Sequence, residues 1–312
     1  MTVDISGASD ESAVLSAPRP SLPPPDDVVT SRHVESGRYG NLRAALAQLA
    51  RKPVFVIALL YVLFVIISAI FPGWFSTGQP DATYPTDVMQ PPSLHHLFGT
   101  DDIGRDLWTR VLYGSALTIE ATMAAIAIGL VAGLSLGVVS GFYGGWADAL
   151  IMRIVDVLLA IPALLFALAI ITSVGYGTLP VALAVGLGVI PGFARTTRAE
   201  VLRVRTQPFV EAARASGASW IRVLVRHILP NSWGPVAVLA VLDAGVVIIA
   251  IASLSFLGFG APPPSSEWGT LISAGRDYLV TSWWLSLMPG IFVALLVLSL
   301  NHISKTLQEL QR

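Results

Sequence analysis

The sequence predicts an all-α integral membrane protein with six spanning helices. Apolar residues make up 54% of its 312 residues and charged residues only 12%, whereas soluble globular domains carry about 25% charged residues. The mean hydropathy is +0.70, and the apolar residues are gathered in stretches long enough to cross a bilayer. So much apolar surface has no place in water, and a lipid bilayer is therefore the expected solvent.

Six apolar segments account for the predicted spans. A helix rises about 1.5 Å per residue, so each segment can cross about 30 Å of hydrocarbon. The approximate limits are 54–72, 116–140, 149–173, 178–195, 234–257 and 283–303. The fourth segment is the shortest and contains Pro180 and Pro191, which can bend a helix.

Two further segments precede the first span. Residues 1–40 are rich in Ser, Pro, Asp and Glu and lack the apolar content of a core, which predicts a disordered cytoplasmic tail. Residues 41–53 place Leu42, Leu46 and Leu49 on one helical face beside basic residues. This pattern predicts a short amphipathic helix at the membrane surface. Residues 54–312 then form the transmembrane domain.

The distribution of basic residues predicts the orientation. Lys and Arg are concentrated before the first span, in the loop 196–233 and after the last span. The loops 73–115 and 258–282 hold few arginines and are acidic on balance. Because cytoplasmic loops carry the excess of Lys and Arg, both termini and the loop 196–233 are expected in the cytoplasm.

Several kinds of site are not expected in this chain. Its two lysines, Lys52 and Lys305, do not follow a glycine, so a Walker A loop for ATP is excluded. It has no cysteine, which excludes disulfides and thiolate metal sites. His95 and His96 adjoin each other without a suitably spaced further ligand, so no metal site is predicted. No nucleophile elbow is present and no catalytic residue is assigned, so any use of ATP requires a partner.

The loop 196–233 is predicted to form a helix, a tight turn and a second helix. Pro208 suits the first position of a helix, and Gly217 permits the left-handed conformation that ends one. The segment 220–229 resumes an apolar helical period, and Pro230 is expected to stop or bend that helix. On these features alone, the loop could simply fix the topology and contact lipid headgroups.

Specific residues in this loop resemble the EAA motif of ATP-binding cassette (ABC) importer permeases. The matching positions are Glu211, Ala212, Ala213, Arg214, Gly217, His227, Leu229 and Pro230. His227 stands where the general motif usually has Ile. In this the chain resembles the membrane subunits of peptide importers, which often have His at that position. Further segments resemble signatures of the C-type permease of the dipeptide/oligopeptide (and nickel) transport family, namely 98–106, 110–114, 141–146, 153–156, 255–261 and 267–269.

The resemblance implies a type I ABC importer permease fold in a bacterial cell membrane. It implies a paralogous B-type permease, two ABC ATPase subunits and an extracytoplasmic substrate-binding protein as partners, with a peptide as substrate and no nucleic acid. ATP and Mg²⁺ would be bound by the ATPase subunits, which would dock against the motif helix. Nickel-chelate or glutathione import in the same family stays open. An ion-gradient-driven transporter or a non-transporting scaffold would leave the motif unexplained.

Charged residues outside this loop are candidates for other contacts. Asp156 lies three residues after Arg153, a spacing that favours an ion pair along one helix face over contact with substrate. Asp243 has no nearby cation in its own span, and contact with the paralogous permease or with a peptide amino group stays open. Four residues of the first outer loop form either a solvated turn or a contact surface for the binding protein or the partner permease: Asp101, Asp102, Arg105 and Asp106.

Overall fold

The computed structural model describes residues 52–310, which are almost entirely helical. The predicted tail at 1–40 and nearly all of the predicted surface helix at 41–53 lie outside the described residues. The helices are α1 Pro53–Ile70, α2 Leu107–Tyr143, α3 Gly145–Ala160, α4 Ala163–Val174, α5 Thr178–Arg205, α6 Pro208–Ala215, α7 Trp220–Phe256, α8 Trp268–Ala274 and α9 Trp284–Leu310. Five are long and apolar enough to cross a membrane, and the bent pair α3–α4 can make a sixth span.

Helix α2 extends well beyond the second predicted span, which was placed at 116–140. The Asp106 carboxylate accepts hydrogen bonds from the Thr109 N–H at 2.8 Å and the Thr109 hydroxyl at 2.7 Å, so the helix begins at Leu107. It ends before Gly144, whose φ is 68°. Its 37 residues give a length of about 55 Å, and α2 therefore projects beyond a hydrocarbon layer of about 30 Å.

The third predicted span is not one continuous helix. Helices α3 and α4 meet at an angle of 93°, and the break falls at Ile161, which has an extended backbone (φ −85°, ψ 129°). Ile161 precedes Pro162, and the proline ring disfavours helical geometry in the residue before it. The segment predicted as a span over 149–173 is therefore two helices joined at a bend, and its role as one span stays a prediction.

The predicted loop 196–233 is itself largely helical. Helix α5 continues to Arg205 instead of ending at residue 195, and α7 begins at Trp220 instead of residue 234. Helix α6 lies between them. The non-helical backbone is therefore confined to two short connections around α6, and this part of the chain can transmit movement as a set of connected rigid helices.

Helices α2 and α5 are packed with their backbones unusually close. Glycines occur at every fourth residue on the α2 face that meets α5: Gly129, Gly133, Gly137 and Gly141. A Cβ atom added at Gly133 would lie 2.4 Å from Phe193 Cβ, and one at Gly137 would lie 2.5 Å from the Ala194 carbonyl oxygen. Small residues at this spacing permit the close contact by which membrane helices associate. We call this contact the glycine seam.

Candidate functional site

Helix α6 has the local structure that the sequence predicted. Pro208 lies at its first turn, where its missing N–H breaks no hydrogen bond. At the other end Gly217 has a φ of 79°, and the Ala218 N–H donates to the Ala213 carbonyl at 3.1 Å. A glycine in this left-handed conformation ends a helix and reverses the chain. The chain can therefore turn directly from α6 into α7.

One side of α6 is fixed to the ends of three longer helices. Val210 is fully buried, at 0% exposure. It belongs to an apolar cluster, the α6 seat, that also contains Val201 and Val204 of α5 and Val223 and Ile228 of α7. Val138 and Phe142 from the end of α2 pack against the same cluster. A displacement of α6 would therefore be transmitted to α2, α5 and α7 together.

The opposite side of α6 is exposed in the part of the chain that the structure describes. Glu211, Ala212 and Arg214 are exposed, and Ala213 is half-buried against the seat. Because alanine side chains are small, another protein can approach the helix closely at Ala212 and Ala213. The charged side chains of Glu211 and Arg214 border this surface. The predicted coupling residues of α6 thus lie together on an accessible face, although their contact with an ATPase stays a prediction.

His227, Leu229 and Pro230 lie where α7 leaves the seat. The chain forms a π-helical turn over Leu224–Ile228, in which the Leu229 N–H bonds the Leu224 carbonyl. A proline cannot donate the next helical hydrogen bond, and the widened turn lets the helix continue through Pro230. Pro230 therefore does not stop the helix. The His227 ring lies 6.4 Å from that of Phe209, centroid to centroid, and so adjoins α6.

Two arginines of α5 hold the surrounding helices in place. Arg198 forms a double hydrogen bond with Asp148 of α3, both distances being 2.6 Å, and the Ser140 hydroxyl of α2 donates to the same carboxylate. Arg205 Nη1 donates to the Phe142 carbonyl at 2.9 Å, which satisfies one of the unpaired carbonyls at the end of α2. Sequence reasoning missed these contacts and the glycine seam, although the four-residue glycine spacing was a readable signal.

The predicted pair between Arg153 and Asp156 is replaced by a different one. Arg195 Nη2 lies 2.7 Å from Asp156 Oδ1. Asp156 therefore links α3 to α5 and does not pair with Arg153 in its own helix. Both side chains of the observed pair are more than half exposed, at 57% and 56%. Arg153 is also exposed. The spacing rule failed because the fold places an arginine of the neighbouring helix within reach of the same carboxylate.

Asp243 lies in the middle part of α7 and is half-buried. Within residues 52–310 it has neither a hydrogen-bond nor an ion-pair partner. Both alternatives raised by the sequence, a paralogous permease and a peptide amino group, lie outside the chain itself and stay predictions.

Two of the four candidate docking residues of the first outer loop are structural. Asp101 is 6% exposed and accepts hydrogen bonds from Arg105 Nε at 2.7 Å and from Arg110 Nη1 at 2.8 Å. Asp106 caps α2 and lies 2.9 Å from His96 Nδ1. Asp102, in contrast, is exposed. Docking by these residues as a group stays a prediction, because most of their charge is engaged inside the loop.

Arg110 joins the two outer loops, a role that sequence reasoning did not assign. Its Nη2 donates to the carbonyl of Pro264 at 3.0 Å, while Nη1 donates to the Asp101 carboxylate.

Glu267 of the second outer loop is buried, with 1% exposure. It accepts hydrogen bonds from the Gly269 N–H at 3.2 Å and the Thr270 hydroxyl at 3.1 Å. Burial raises the pKa of the Glu267 carboxyl, and these hydrogen bonds only partly oppose that rise.

Comparison with known proteins identifies the family. The sequence profile of the binding-protein-dependent transport system inner membrane components matches residues 129–311. The chain belongs to this family. This permease is 36% identical over 295 residues to the dipeptide transport system permease protein DppC of Alkalihalophilus pseudofirmus, with 95% of each chain covered. It is 39% identical over 286 residues to the glutathione transport system permease protein GsiD of Escherichia coli O6:K15:H31, with 91% of each chain covered.

A solved structure of the MetNI methionine ABC transporter, in inward-facing conformations, has a similar fold. The TM-score is 0.53 at 19% sequence identity, over 65% of this permease and 97% of the other chain. These findings confirm the predicted permease fold and membrane localisation. The protein is a multi-pass inner-membrane subunit of a bacterial ABC importer, which implies ATPase and other subunits as partners.

Proposed function

We propose that this permease imports peptides, and that α6 is the part of the chain on which an ATPase subunit acts. Its seat joins α2, α5 and α7, so movement of one short helix would reach three long helices that cross the membrane. ATP binding and hydrolysis on the partner would displace α6 as a rigid body. The observation that carries the role of α6 is that one side of the helix is anchored through buried Val210 while the other side is exposed at Glu211 and Ala212.

The work is divided between subunits in this proposal. ATP and Mg²⁺ are bound by two ABC ATPase subunits, and this chain contributes no catalytic residue and no cofactor site. A paralogous B-type permease completes the membrane pathway, and an extracytoplasmic binding protein delivers the substrate. The basic residues around α6 support a cytoplasmic position for this segment and for both termini.

Peptides are the substrate class that the relatives favour. The relative matched over 95% of this chain is named for dipeptide transport, and that observation carries the proposal. A second candidate is glutathione, itself a small peptide, because the glutathione permease is 39% identical to this chain. Nickel-chelate import is the remaining alternative within the resemblance, and no relative described above favours it.

Uptake by a reconstituted complex tests the substrate. The permease, its paralogue and the two ATPase subunits would be placed in proteoliposomes together with the binding protein. Labelled dipeptide, glutathione or nickel chelate would then be supplied with or without ATP inside. The proposal expects ATP-dependent accumulation of dipeptide. Accumulation of glutathione alone would contradict dipeptides and support the second candidate, accumulation of the nickel chelate alone would contradict the peptide assignment, and uptake without ATP would contradict the mechanism.

A further inference from the structure

A large cavity opens between the first outer loop and the start of α2. Its volume is about 940 Å³. Its walls come from the segment that follows α1, from the loop around residues 84–97 and from the first residues of α2. We call it the outer cavity. It shares no residue with the α6 seat, and the proposed function assigns it no role.

Hydrogen bonds hold the walls of the outer cavity in fixed positions. Trp108 Nε1 donates to the Phe75 carbonyl at 3.2 Å, and the hydroxyls of Ser76 and Thr109 lie 2.6 Å apart. On the opposite wall His96 Nδ1 lies 2.9 Å from Asp106 Oδ1. The cavity is therefore preformed, and a ligand would not have to order it on binding.

The free groups of the outer cavity suit a cation with an apolar stem. The Asp87 side chain is 40% exposed, and its carboxylate lies 3.9 Å from His96 Nε2. No residue within 52–310 donates a hydrogen bond to that carboxylate. Trp74, which is 74% exposed, and Tyr84 line the same space. A carboxylate and exposed aromatic side chains that line one cavity can attract a guanidinium or ammonium group through charge pairing and cation–π contact.

The rim of the outer cavity has the composition of a protein interface. Leu94, which is 96% exposed, lies at the cavity beside Trp74. Exposed apolar residues next to Trp and Tyr are typical of protein-binding surfaces and of their most important contacts. The surrounding outer loops are acidic on balance, which would steer a basic surface towards them.

We infer that the outer cavity receives a lysine or arginine side chain from the extracytoplasmic binding protein when that protein docks. The inference rests on the proposed function and on the proposed orientation of the outer loops. It moves the docking contact from Asp101, Arg105 and Asp106, which are engaged inside the loop, to Asp87 and the exposed aromatic residues. Asp87 pairs with the incoming cation, while Trp74 and Tyr84 cover its apolar stem.

Binding measurements on the complete complex in nanodiscs test this assignment. The Kd for substrate-loaded binding protein would be compared between wild type, Asp87→Asn and Trp74→Ala. Each variant is expected to raise the Kd by about fivefold or more, since it removes a charge pair or a cation–π contact. Asp81→Asn is the matched control, because Asp81 is an exposed acid of the same outer loop that does not line the cavity. Its Kd should stay within about twofold of wild type.

The outcomes separate the cavity from the proposed function. A wild-type complex that binds no binding protein and whose ATPase is not stimulated by one would overturn both. A wild-type complex that binds normally, with Asp87→Asn and Trp74→Ala equally tight, would overturn the cavity assignment alone. Loss of affinity for phosphatidylglycerol vesicles in Trp74→Ala, with unchanged affinity for the binding protein, would show that lipid occupies the cavity and would also overturn it.

Discussion

Replacing Gly137 by alanine should disrupt the glycine seam. The new Cβ would lie 2.5 Å from the Ala194 carbonyl oxygen and 2.5 Å from Thr197 Cβ. Neither atom can rotate away, because one belongs to the backbone and the other is fixed directly to it. Helices α2 and α5 must then separate, and overpacking of this kind costs about 1–3 kcal/mol.

Gly192→Ala provides a matched control on α5. A Cβ at Gly192 meets no atom within 4 Å, and alanine in place of glycine inside a helix is worth about 0.5–1 kcal/mol of stability. The two variants make the same chemical change and should shift stability in opposite directions. Since both glycines lie inside helices, the gain is common to both variants, and we expect them to differ by the overpacking cost of about 1–3 kcal/mol.

Thermal unfolding of the purified permease in detergent measures this difference. Gly137→Ala should lower the Tm by several degrees, and Gly192→Ala should leave it unchanged or slightly higher. ATP-driven uptake by the reconstituted Gly137→Ala complex should fall as well, because α2 and α5 both end at the α6 seat. Equal Tm values for the two variants would refute the reasoning that close backbone contact at the seam stabilises the permease.

Three further predictions concern the seat and the outer loops. Val210→Ala removes two buried methyl groups from the α6 seat, which costs about 1–2 kcal/mol. Uptake should fall while ATPase subunits still copurify. Unchanged uptake would contradict the role of Val210 in anchoring α6. Asp101→Ala leaves buried Arg110 unpaired and should destabilise the protein by about 3–5 kcal/mol in thermal unfolding, whereas Asp102→Ala should not. The raised pKa of Glu267 predicts that its own contribution to the Tm is fully present below the ordinary pKa of 4.5 and is lost as pH rises through the folded-state pKa. Glu267→Gln should flatten that dependence, and an unchanged slope would contradict the assignment.

The sequence carried enough information to predict the class of fold and the local structure of α6. Apolar length is a direct requirement of the bilayer, so the spans were visible as continuous apolar segments. Pro208 and Gly217 act through their own backbone conformations, and their effects do not depend on distant residues. For this reason the helix and the turn around α6 could be predicted without knowledge of the tertiary structure.

Features that depend on polar residues inside the fold could not be predicted in the same way. Hydropathy detected the apolar middle of α2 and missed its first turns, where Arg110 is buried by its bonds to Asp101 and the Pro264 carbonyl. Helical spacing paired Asp156 with Arg153, whereas the fold brings Arg195 closer. Such pairings are set by neighbouring helices, and one sequence does not state which helices are neighbours.

Site-specific crosslinking at α6 tests the central claim most directly. The natural chain has no cysteine, so Ala212→Cys gives a single attachment point for a photoactivatable maleimide, and Thr281→Cys, in the exposed segment before α9, gives the control. In the assembled complex, illumination of Ala212→Cys is expected to yield a covalent product with the ATPase subunit, and Thr281→Cys is expected to yield none. An assembled, active complex in which the label at position 212 never reaches the ATPase would contradict the account.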